Sequence, residues 1–484
     1  MPRLVVSLHF TALRAAALAL VSASVGCTAD VTSDSPTFRE DGSKDKRGPG
    51  QHPGATEADG GSSSFGDAEP PPLPTPSFAS LTQLCKLISG RNLDEPTPNN
   101  THFRANLRGT DLGIPVAHGD DLFLFFGDTA GVRAIWPLGP ESLPDAVGFA
   151  SWNAVKKDPR GLCSGLRFLA GSPENSAGRA QDSRIERDFA GAWMTPPPGR
   201  SIDEFIHNPS GPRGAGAFPN LPGDFEVPSG AFSHGGSIFV FYTTVVSPTT
   251  VEMKGSYLAR WTAPSTTGLP SYEILHHVDQ RFDANGPLRG DFINIAPVVV
   301  GDWLYLYGSG DYRKSSVHLA RKPLAMLEQP GGFERFDAVT RTWRPAGDPD
   351  AKPVVVSPTV GELSVRWFPE IGRYVMLNQE TNPNGNQVVA RFANAPEGPW
   401  SEAIPIATMT DPAFAATYCC IGGNCSGKRL FNCERAGFYG TYMLPEATVN
   451  PDGSFAIAFT MSTWDPYNVA LMSATFVVPQ SSKQ

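Results

Sequence analysis

A polar turn followed by a short apolar strand recurs five times along the chain. Each copy has Gly or Asp in the turn and then four to six mostly apolar residues. The copies are His118–Phe126, His234–Tyr242, Gly301–Tyr307, Ile371–Leu377 and Asp452–Phe459. A second apolar stretch leads into each turn, so each copy predicts a β-hairpin.

A third apolar segment follows the hairpins and carries a shared string. It reads as Ser256–Arg260, Val317–Arg321, Val388–Arg391 and Val469–Met472, and Gly165–Leu169 is the candidate in the first copy. Five units of three or four antiparallel strands predict an all-β fold, namely a five-bladed β-propeller. A β-sandwich is the alternative, because it also contains many short strands.

The N-terminal 80 residues have a different pattern. Residues 1–27 predict an export signal, with Arg3 and Arg14 beside the apolar run from Ala15 to Val25. Small residues before Cys27 resemble a bacterial lipobox, so we predict that Cys27 is lipidated; a cleaved secretory signal with an incidental cysteine is the alternative. Residues 28–80 are rich in Gly, Ser and Pro and poor in large apolar residues, which predicts a disordered linker.

These assignments leave residues 86–480 for the propeller. The protein is therefore expected in the cell envelope as a lipoprotein, at the outer membrane or cell surface, or else secreted. The only membrane contact expected is the N-terminal lipid anchor, and a monomer is expected.

Composition and net charge exclude some classes of function. The 484 residues include 49 Gly and 46 Pro, and both residue types are unfavourable inside helices. The formal net charge is −9, whereas a protein that binds nucleic acid normally has a basic surface. We therefore expect no nucleic-acid partner.

Six cysteines remain when Cys27 is set aside. They are Cys85, Cys163, Cys419, Cys420, Cys425 and Cys433. An even number in an exported chain predicts disulfides, with a connectivity that the sequence leaves open. The cluster between Cys419 and Cys433 lacks a nearby His and the spacing of a structural zinc site.

The propeller topology predicts which polar residues lie together on one face of the ring. The first strand of each blade lines the central channel, and the second strand returns to the face where the first begins. Residues expected at the inner rim are Asp111, Glu226, Asp291, Asn294 and Glu362. Residues expected just outside them are Asp128, Thr243, Asp311 and Glu380. The fifth blade adds Tyr439, Tyr442, Trp464 and Tyr467 as candidate sugar-binding residues.

Asp111 and Glu362 are the candidate catalytic pair. Two carboxyl groups facing each other, with aromatic rings for sugar faces, suit glycoside cleavage. Glu362 is predicted as the general acid and Asp111 as general base or nucleophile; the alternative is that both only cap strands.

Supporting roles are predicted for further residues on this face. Asp128, Asp291 and Asn294 would assist the pair, Arg366 would be a partner for the carboxylates, and Arg313 would be a partner or bind substrate. The sequence shows no P-loop, no nucleophile elbow and no metal-ligand spacing, so no cofactor and no metal are expected.

Several strings resemble the domain-of-unknown-function 4185 family over about residues 100–478. They are Thr110–Val116, Leu124–Thr129, Val317–Arg321, Gly361–Arg366, Phe438–Met443 and Met461–Asn468. The resemblance implies a five-bladed propeller similar to glycoside hydrolases that act on furanosides, and some members (glycoside hydrolase family 183) are endo-D-arabinanases that cut mycobacterial arabinan. It also implies Asp111 and Glu362 as catalytic carboxylates, with Asp128 and Asp291 in support.

The first hypothesis is therefore an exported glycoside hydrolase that cleaves arabinofuranosyl linkages in a polysaccharide, with inversion or retention left open. The second is a non-catalytic surface propeller that binds a glycan or a protein partner. Residues 170–222 and the segment from Cys419 to Cys433 have no counterpart in the resemblance, and either could change the substrate.

Overall fold

The computed structural model describes residues 74–88, 99, 101, 107–131, 145–169, 215–216, 225–246, 252–266, 272–382, 385–422 and 424–479. The predicted export signal with Cys27, the linker up to residue 73, and residues 170–214 of the insertion lie outside the described residues. Within the described residues, no helix combines the length and the apolar character that crossing a membrane requires.

Strands dominate the described chain. In the first half they are β1 (Ser77–Lys86), β2 (Leu107–Gly109), β3 (Leu112–His118), β4 (Asp121–Asp128), β5 (Ala130–Gly131), β6 (Asp145–Ser151), β7 (Arg167–Phe168), β8 (Ala215–Gly216), β9 (Phe225–His234), β10 (Ser237–Val246), β11 (Glu252–Thr262) and β12 (Tyr272–Gln280). In the second half they are β13 (Asn294–Val300), β14 (Trp303–Ser309), β15 (Ser315–Pro323), β16 (Glu334–Asp337), β17 (Thr342–Pro345), β18 (Val355–Phe368), β19 (Arg373–Asn382), β20 (Gly385–Ala393), β21 (Ile404–Thr408), β22 (Phe438–Val449), β23 (Phe455–Thr463) and β24 (Asn468–Val477).

Helical segments are few and short. They are α1 (Trp152–Lys157), α2 (Gly161–Gly165), α3 (Pro412–Tyr418) and a 3-10 turn at Leu324–Met326. Helix α3 begins at Asp411, whose carboxylate accepts hydrogen bonds from the backbone N–H groups of Ala413 and Phe414.

The strands form five antiparallel blades, so the predicted five-bladed β-propeller is confirmed. Their orders from the channel outward are β3-β4-β6-β7, β9-β10-β11-β12, β13-β14-β15-β16-β17, β18-β19-β20-β21 and β22-β23-β24-β1. The two-residue strand β8 adds a parallel edge outside β12. Each repeated string forms the hairpin turn and second strand of one blade. Turn glycines such as Gly119 and Gly301 have φ of +58° and +55°, which two-residue hairpin turns require.

The third strand of the first blade was assigned wrongly from the sequence. The third strand is β6, which pairs with β4 through Phe123 and Phe149, and Gly165–Leu169 contains instead the short fourth strand β7. The segment Asp145–Ser151 carries little alternation because six of its seven residues are buried, so its pattern did not resemble the later third strands.

The hydrophobic core consists of clusters between consecutive blades. One cluster joins blades one and two through Phe123, Phe125 and Trp261, with Phe123 and Trp261 in edge-to-face contact. Equivalent clusters lie between blades two and three, three and four, four and five, and five and one. Both faces of each sheet are therefore covered, which explains the mostly buried second strands.

The ring is closed by β1, which supplies the outer strand of the fifth blade. It runs antiparallel to β24, with Phe78 opposite Phe476. The predicted boundaries of the linker at residue 80 and of the propeller at residue 86 were therefore wrong, because the ordered strand begins at Ser77. Phe78 and Leu81 pack against the core of the last blade, and these few apolar residues were insufficient to reveal a strand.

All six cysteines are paired, as predicted. The disulfides are Cys85–Cys163, Cys419–Cys433 and Cys420–Cys425. Cys85 lies on β1 and Cys163 on α2 of the first blade, so this bond crosses the seam between the last blade and the first.

We predict that replacing Cys85 and Cys163 by Ala lowers the free energy of unfolding by about 4–5 kcal/mol. The bond closes a loop with a sequence separation of 78 residues, and loop-closure entropy sets this magnitude. The matched control is the Cys420–Cys425 pair, with a separation of 5, for which the same relation gives about 2 kcal/mol. Equal losses for both pairs in denaturant titrations would contradict the role of the seam.

Candidate active site

A cavity of about 600 Å³ opens on the face where the inner strands begin. All five blades contribute to it, along with the segment after α3. Its described lining residues include Asp111, Asp128, Val245, Met253, Tyr312, Arg313, Glu362, Asn386, Tyr439, Trp464 and Tyr467. The two predicted catalytic carboxyl groups are thus brought into one cavity from opposite parts of the chain.

Irregular strand geometry positions both carboxyl groups. Asp111 precedes β3, whose pairing with β4 is interrupted between Leu112 and Ile114, and Glu362 lies where the pairing of β18 with β19 is interrupted. Leu112 has a φ of +62°, an unusual conformation for a residue with a side chain. Such bulges change the direction in which neighbouring side chains point and are common beside active sites.

Asp111 is buried, with 9% of its surface exposed. The Tyr439 hydroxyl donates a hydrogen bond of 2.9 Å to its Oδ2 atom. Burial raises the pKa of the Asp111 carboxyl to about 7; the hydroxyl groups of Tyr467 and Tyr439 lower it, and the negative charge of Glu362 raises it further. Near neutral pH, Asp111 therefore carries a proton for a substantial fraction of the time.

A glycine is required beside Asp111. Gly127 lies on β4 directly against the carboxyl group, and a Cβ atom there would collide with Asp111 Oδ1. The glycine of the Gly-Asp-Thr string at residues 127–129 is thereby explained, because a side chain at this position would occupy the space of the Asp111 carboxyl group.

Glu362 has a contrasting environment, although it is equally buried, with 6% exposed. Its Oε1 atom accepts hydrogen bonds from the Tyr312 hydroxyl at 2.9 Å and from Arg313 Nη2 at 3.2 Å. The Arg313 guanidinium forms an ion pair with it and also lies over the ring of Tyr312. An adjacent positive charge favours the ionised form of a carboxyl group, so Glu362 is the anionic member of the pair.

Arg313 is itself held in an uncommon backbone conformation, with a φ of +56°. The structure places it as a partner of Glu362, one of the two roles predicted from sequence. Its guanidinium also faces the ring of Tyr439, with the guanidinium carbon 5.6 Å from the ring centre. Arg313 therefore lies beside both tyrosines whose hydroxyl groups donate to the two carboxyl groups.

Three other predicted residues also line the cavity. Trp464 is 40% exposed, and its ring meets that of Tyr467 edge to face at 5.6 Å. Asp128 lines the same wall at the end of β4. Exposed aromatic rings beside carboxyl groups provide apolar surfaces of the kind that pack against sugar rings.

The structure does not bring the remaining candidates into this cavity. Asp291 forms an ion pair with Arg335 at 2.8 Å, and Asn294 donates a hydrogen bond to the sulfur of Met253. Tyr442 is buried, with 3% exposed, and lines a separate cavity in the channel.

Arg366 is also in the channel rather than beside the carboxylates. Its Nε and Nη2 atoms donate to the carbonyl oxygens of Met443 and Pro115. The prediction that it partners a catalytic carboxylate was wrong, because alternate residues of β18 occupy successive depths along the channel, and Arg366 lies four residues below Glu362.

The wider set of rim candidates has structural partners. Asp311 pairs with Arg281 at 2.8 Å, Glu380 pairs with Arg391 at 2.9 Å, and the Thr243 hydroxyl donates to the carbonyl oxygen of Ile293. Glu226 is buried, with 4% exposed, and does not line the cavity.

Sequence reasoning missed Tyr312 and one wall of the cavity. Tyr312 follows Asp311 directly, so the rule that residues after a second strand reach the rim could have found it. The missed wall is residues 433–437, which follow the disulfide-linked segment after α3. It is attached to the aromatic wall, because the backbone N–H of Trp464 donates to the carbonyl oxygen of Gly437.

The model of one protein family, described as domain of unknown function DUF4185, matches residues 96–473. The chain belongs to this family. The match covers the five blades except β1, which precedes residue 96, and it ends within β24. No protein of curated function matches the chain significantly.

Solved structures similar to this family member share little sequence with it. A Bacteroides ovatus ATCC 8483 protein thought to be a hydrolase is 14% identical, with 78% of this chain and 88% of that chain covered and a TM-score of 0.47. An α-L-arabinofuranosidase from Podospora anserina is 10% identical, covering 84% and 99%, with a TM-score of 0.40. A mutant α-L-arabinanase from Cellvibrio cellulosa is 11% identical, covering 75% and 90%, with a TM-score of 0.36. Similarities this distant do not indicate an activity.

We predict that Asp111→Asn stabilises this family member increasingly as pH rises from 4 to 7. The folded-state pKa lies above the ordinary value of 3.8, so the unfolded chain loses the Asp111 proton first and the native state becomes relatively less stable with rising pH. Asn cannot ionise, so it avoids this loss.

Melting temperatures at pH 4, 5, 6, 7 and 8 test the prediction. The gain of Asp111→Asn over the unsubstituted protein should grow to pH 7 and then level off. Asp302→Asn, in an exposed hairpin turn, is the control and should show no such growth. A constant offset for Asp111→Asn at every pH would contradict the raised pKa.

Proposed function

We propose that the protein is a glycoside hydrolase in which Asp111 is the general acid and Glu362 is the general base or nucleophile. The observation that carries this proposal is the electrostatic contrast between the two buried carboxyl groups. Burial keeps Asp111 protonated up to about pH 7, whereas Glu362 is paired with Arg313. Two carboxyl groups in opposite protonation states are what acid-assisted cleavage of a glycosidic bond requires.

This assignment reverses the roles predicted from sequence. Glu362 was expected to be the acid because strand position alone could not separate the two residues. A carboxylate beside a guanidinium is a poor proton donor, since protonation would give up the ion pair. Asp111 has no ion pair with the described residues, so it can give its proton to a leaving oxygen without that cost.

The residues around the pair support the same reaction. The Tyr439 hydroxyl donates a hydrogen bond to Asp111 Oδ2, and the Tyr312 hydroxyl donates one to Glu362 Oε1. Both carboxyl groups are therefore oriented before substrate binds. Trp464 offers an exposed ring at the cavity mouth for the sugar chain. The separation of the carboxyl groups in a substrate complex would decide between inversion and retention.

We propose arabinofuranosyl linkages in a polysaccharide as the substrate. This choice is supported by the family resemblance of the Thr110–Val116 and Gly361–Arg366 strings rather than by the cavity shape. We also propose that the protein lies in the cell envelope, anchored through lipidated Cys27 or else secreted, which the sequence pattern of residues 1–80 supports. We further propose that it acts as a monomer.

We predict that Asp111→Asn and Glu362→Gln each lower kcat/KM on arabinan by about 10²–10⁴-fold, the usual contribution of a general acid or base. The measurement is product release from a panel of arabinans and other furanosides, resolved by chromatography. Asp302→Asn is the control and should retain full activity. Cleavage that persists in both active-site variants would contradict the assignment, and glycan binding without any product would favour the binding-protein alternative.

We predict that kcat/KM falls as pH rises through about 7, because Asp111 then loses the proton it must donate. Tyr439→Phe removes a hydroxyl group that lowers the Asp111 pKa, so the falling limb should move to higher pH. Tyr305→Phe, which loses a hydroxyl group that donates to Glu397 outside this cavity, is the control and should leave the limb in place. An alkaline limb that shifts to lower pH in Tyr439→Phe would be the contrary result.

A further inference from the structure

A second cavity, of about 330 Å³, lies in the central channel below the carboxyl pair. It is formed by the inner strands of all five blades and opens to solvent on the side where the exposed Trp367 lies. Its described lining residues are mostly apolar or small, and Arg366 is the only charged one among them. No carboxylate of the described residues forms an ion pair with Arg366. Among its described lining residues, the channel cavity therefore contains one positive charge and no negative charge.

Arg366 is held in place by carbonyl groups alone. Its Nε atom donates to the carbonyl oxygen of Met443 at 2.9 Å, and its Nη2 atom donates to that of Pro115 at 2.7 Å. These acceptors lie on the inner strands of the fifth and first blades, whereas Arg366 belongs to the fourth. A guanidinium has five N–H donors, so donors remain that these two bonds do not use.

The positive charge of Arg366 is not balanced by a negative charge on any described lining residue. Burial lowers the pKa of the Arg366 guanidinium to about 10, and burial is the cause of the shift. Carbonyl oxygens satisfy hydrogen bonds but supply no net negative charge. Arg366 is partly exposed, and a charge partly removed from water is stabilised by an ion of opposite sign beside it.

A second donor faces the same space. Ser364 precedes Arg366 by two residues on β18, so both side chains lie on the channel face of the strand. The Ser364 oxygen accepts a hydrogen bond from the backbone N–H of Met443 at 3.2 Å, which leaves its hydroxyl proton to be donated elsewhere. The described lining contains no carboxylate to accept it.

We propose that this channel cavity binds a small monovalent anion, either chloride or a carboxylate, between the Arg366 guanidinium and the Ser364 hydroxyl. The anion would neutralise the Arg366 charge and link the inner strands of blades one, four and five. A cation is disfavoured at this place because the guanidinium repels it. The proposal is independent of the reaction proposed for the other cavity.

Thermal unfolding in different sodium salts tests the proposal on the full chain. Titration with sodium chloride and, separately, sodium acetate should raise the melting temperature with the logarithm of the anion concentration above the dissociation constant, by about 1–2 °C at ten times that constant. The salt that acts at the lower concentration identifies the anion. Arg366→Met should abolish this rise, whereas Arg160→Met, at an exposed arginine outside the channel, should retain it.

Two further measurements guard against a variant that fails to fold. Ser364→Ala removes one donor but leaves the Arg366 bonds to Met443 and Pro115 in place, and it should raise the fitted dissociation constant of the anion several-fold. Bromide-soaked crystals should show an anomalous peak within hydrogen-bond distance of the Arg366 guanidinium. The proposal is overturned if neither salt raises the melting temperature, if the rise is equal in the Arg366 and Arg160 variants, or if the channel holds only water in the bromide crystals.

Discussion

Closure of the ring is the constraint on which the rest of this structure depends. Each blade buries both faces against its two neighbours, so a gap at any point would expose two apolar sheet faces at once. The gap between the last blade and the first is closed by β1, which pairs with β24, and by the disulfide from Cys85 to Cys163. The channel, both cavities and the register of the five inner strands follow from this closure.

The closed ring also generates the chemistry of the site. Five inner strands beginning at one mouth bring Asp111 and Glu362 together although 251 positions separate them in the chain. The same packing removes water from the Asp111 carboxyl group, which raises its pKa to about 7. Arg313 stabilises the anionic form of Glu362, while Asp111 forms no ion pair with the described residues and accepts a hydrogen bond from Tyr439. One neighbouring cation thus divides two similar acids into a proton donor and an anion.

The repeats made some side chains predictable and left others out of reach. Asp111 and Glu362 could be placed at one rim by counting residues along each strand from its hairpin turn. The same count predicted Trp464 and Tyr467. Asp291 occupies a position that the count also favours, yet it pairs with Arg335. Arg366 was expected to pair with a carboxylate, yet channel carbonyl groups hold it. Counting gives the depth of a residue along a strand, but not the partners that other blades present to it.

The sequence by itself determined the five hairpins, the blade number, the pairing of all six cysteines as disulfides and the rim position of the carboxyl groups, because these depend on local patterns of alternation, turn residues and composition. Only the tertiary structure decided that β1 completes the last blade, which cysteines join, that residues 433–437 form a cavity wall, and which carboxyl group keeps its proton. Those features depend on contacts between distant segments and on burial, and both arise only when the ring closes.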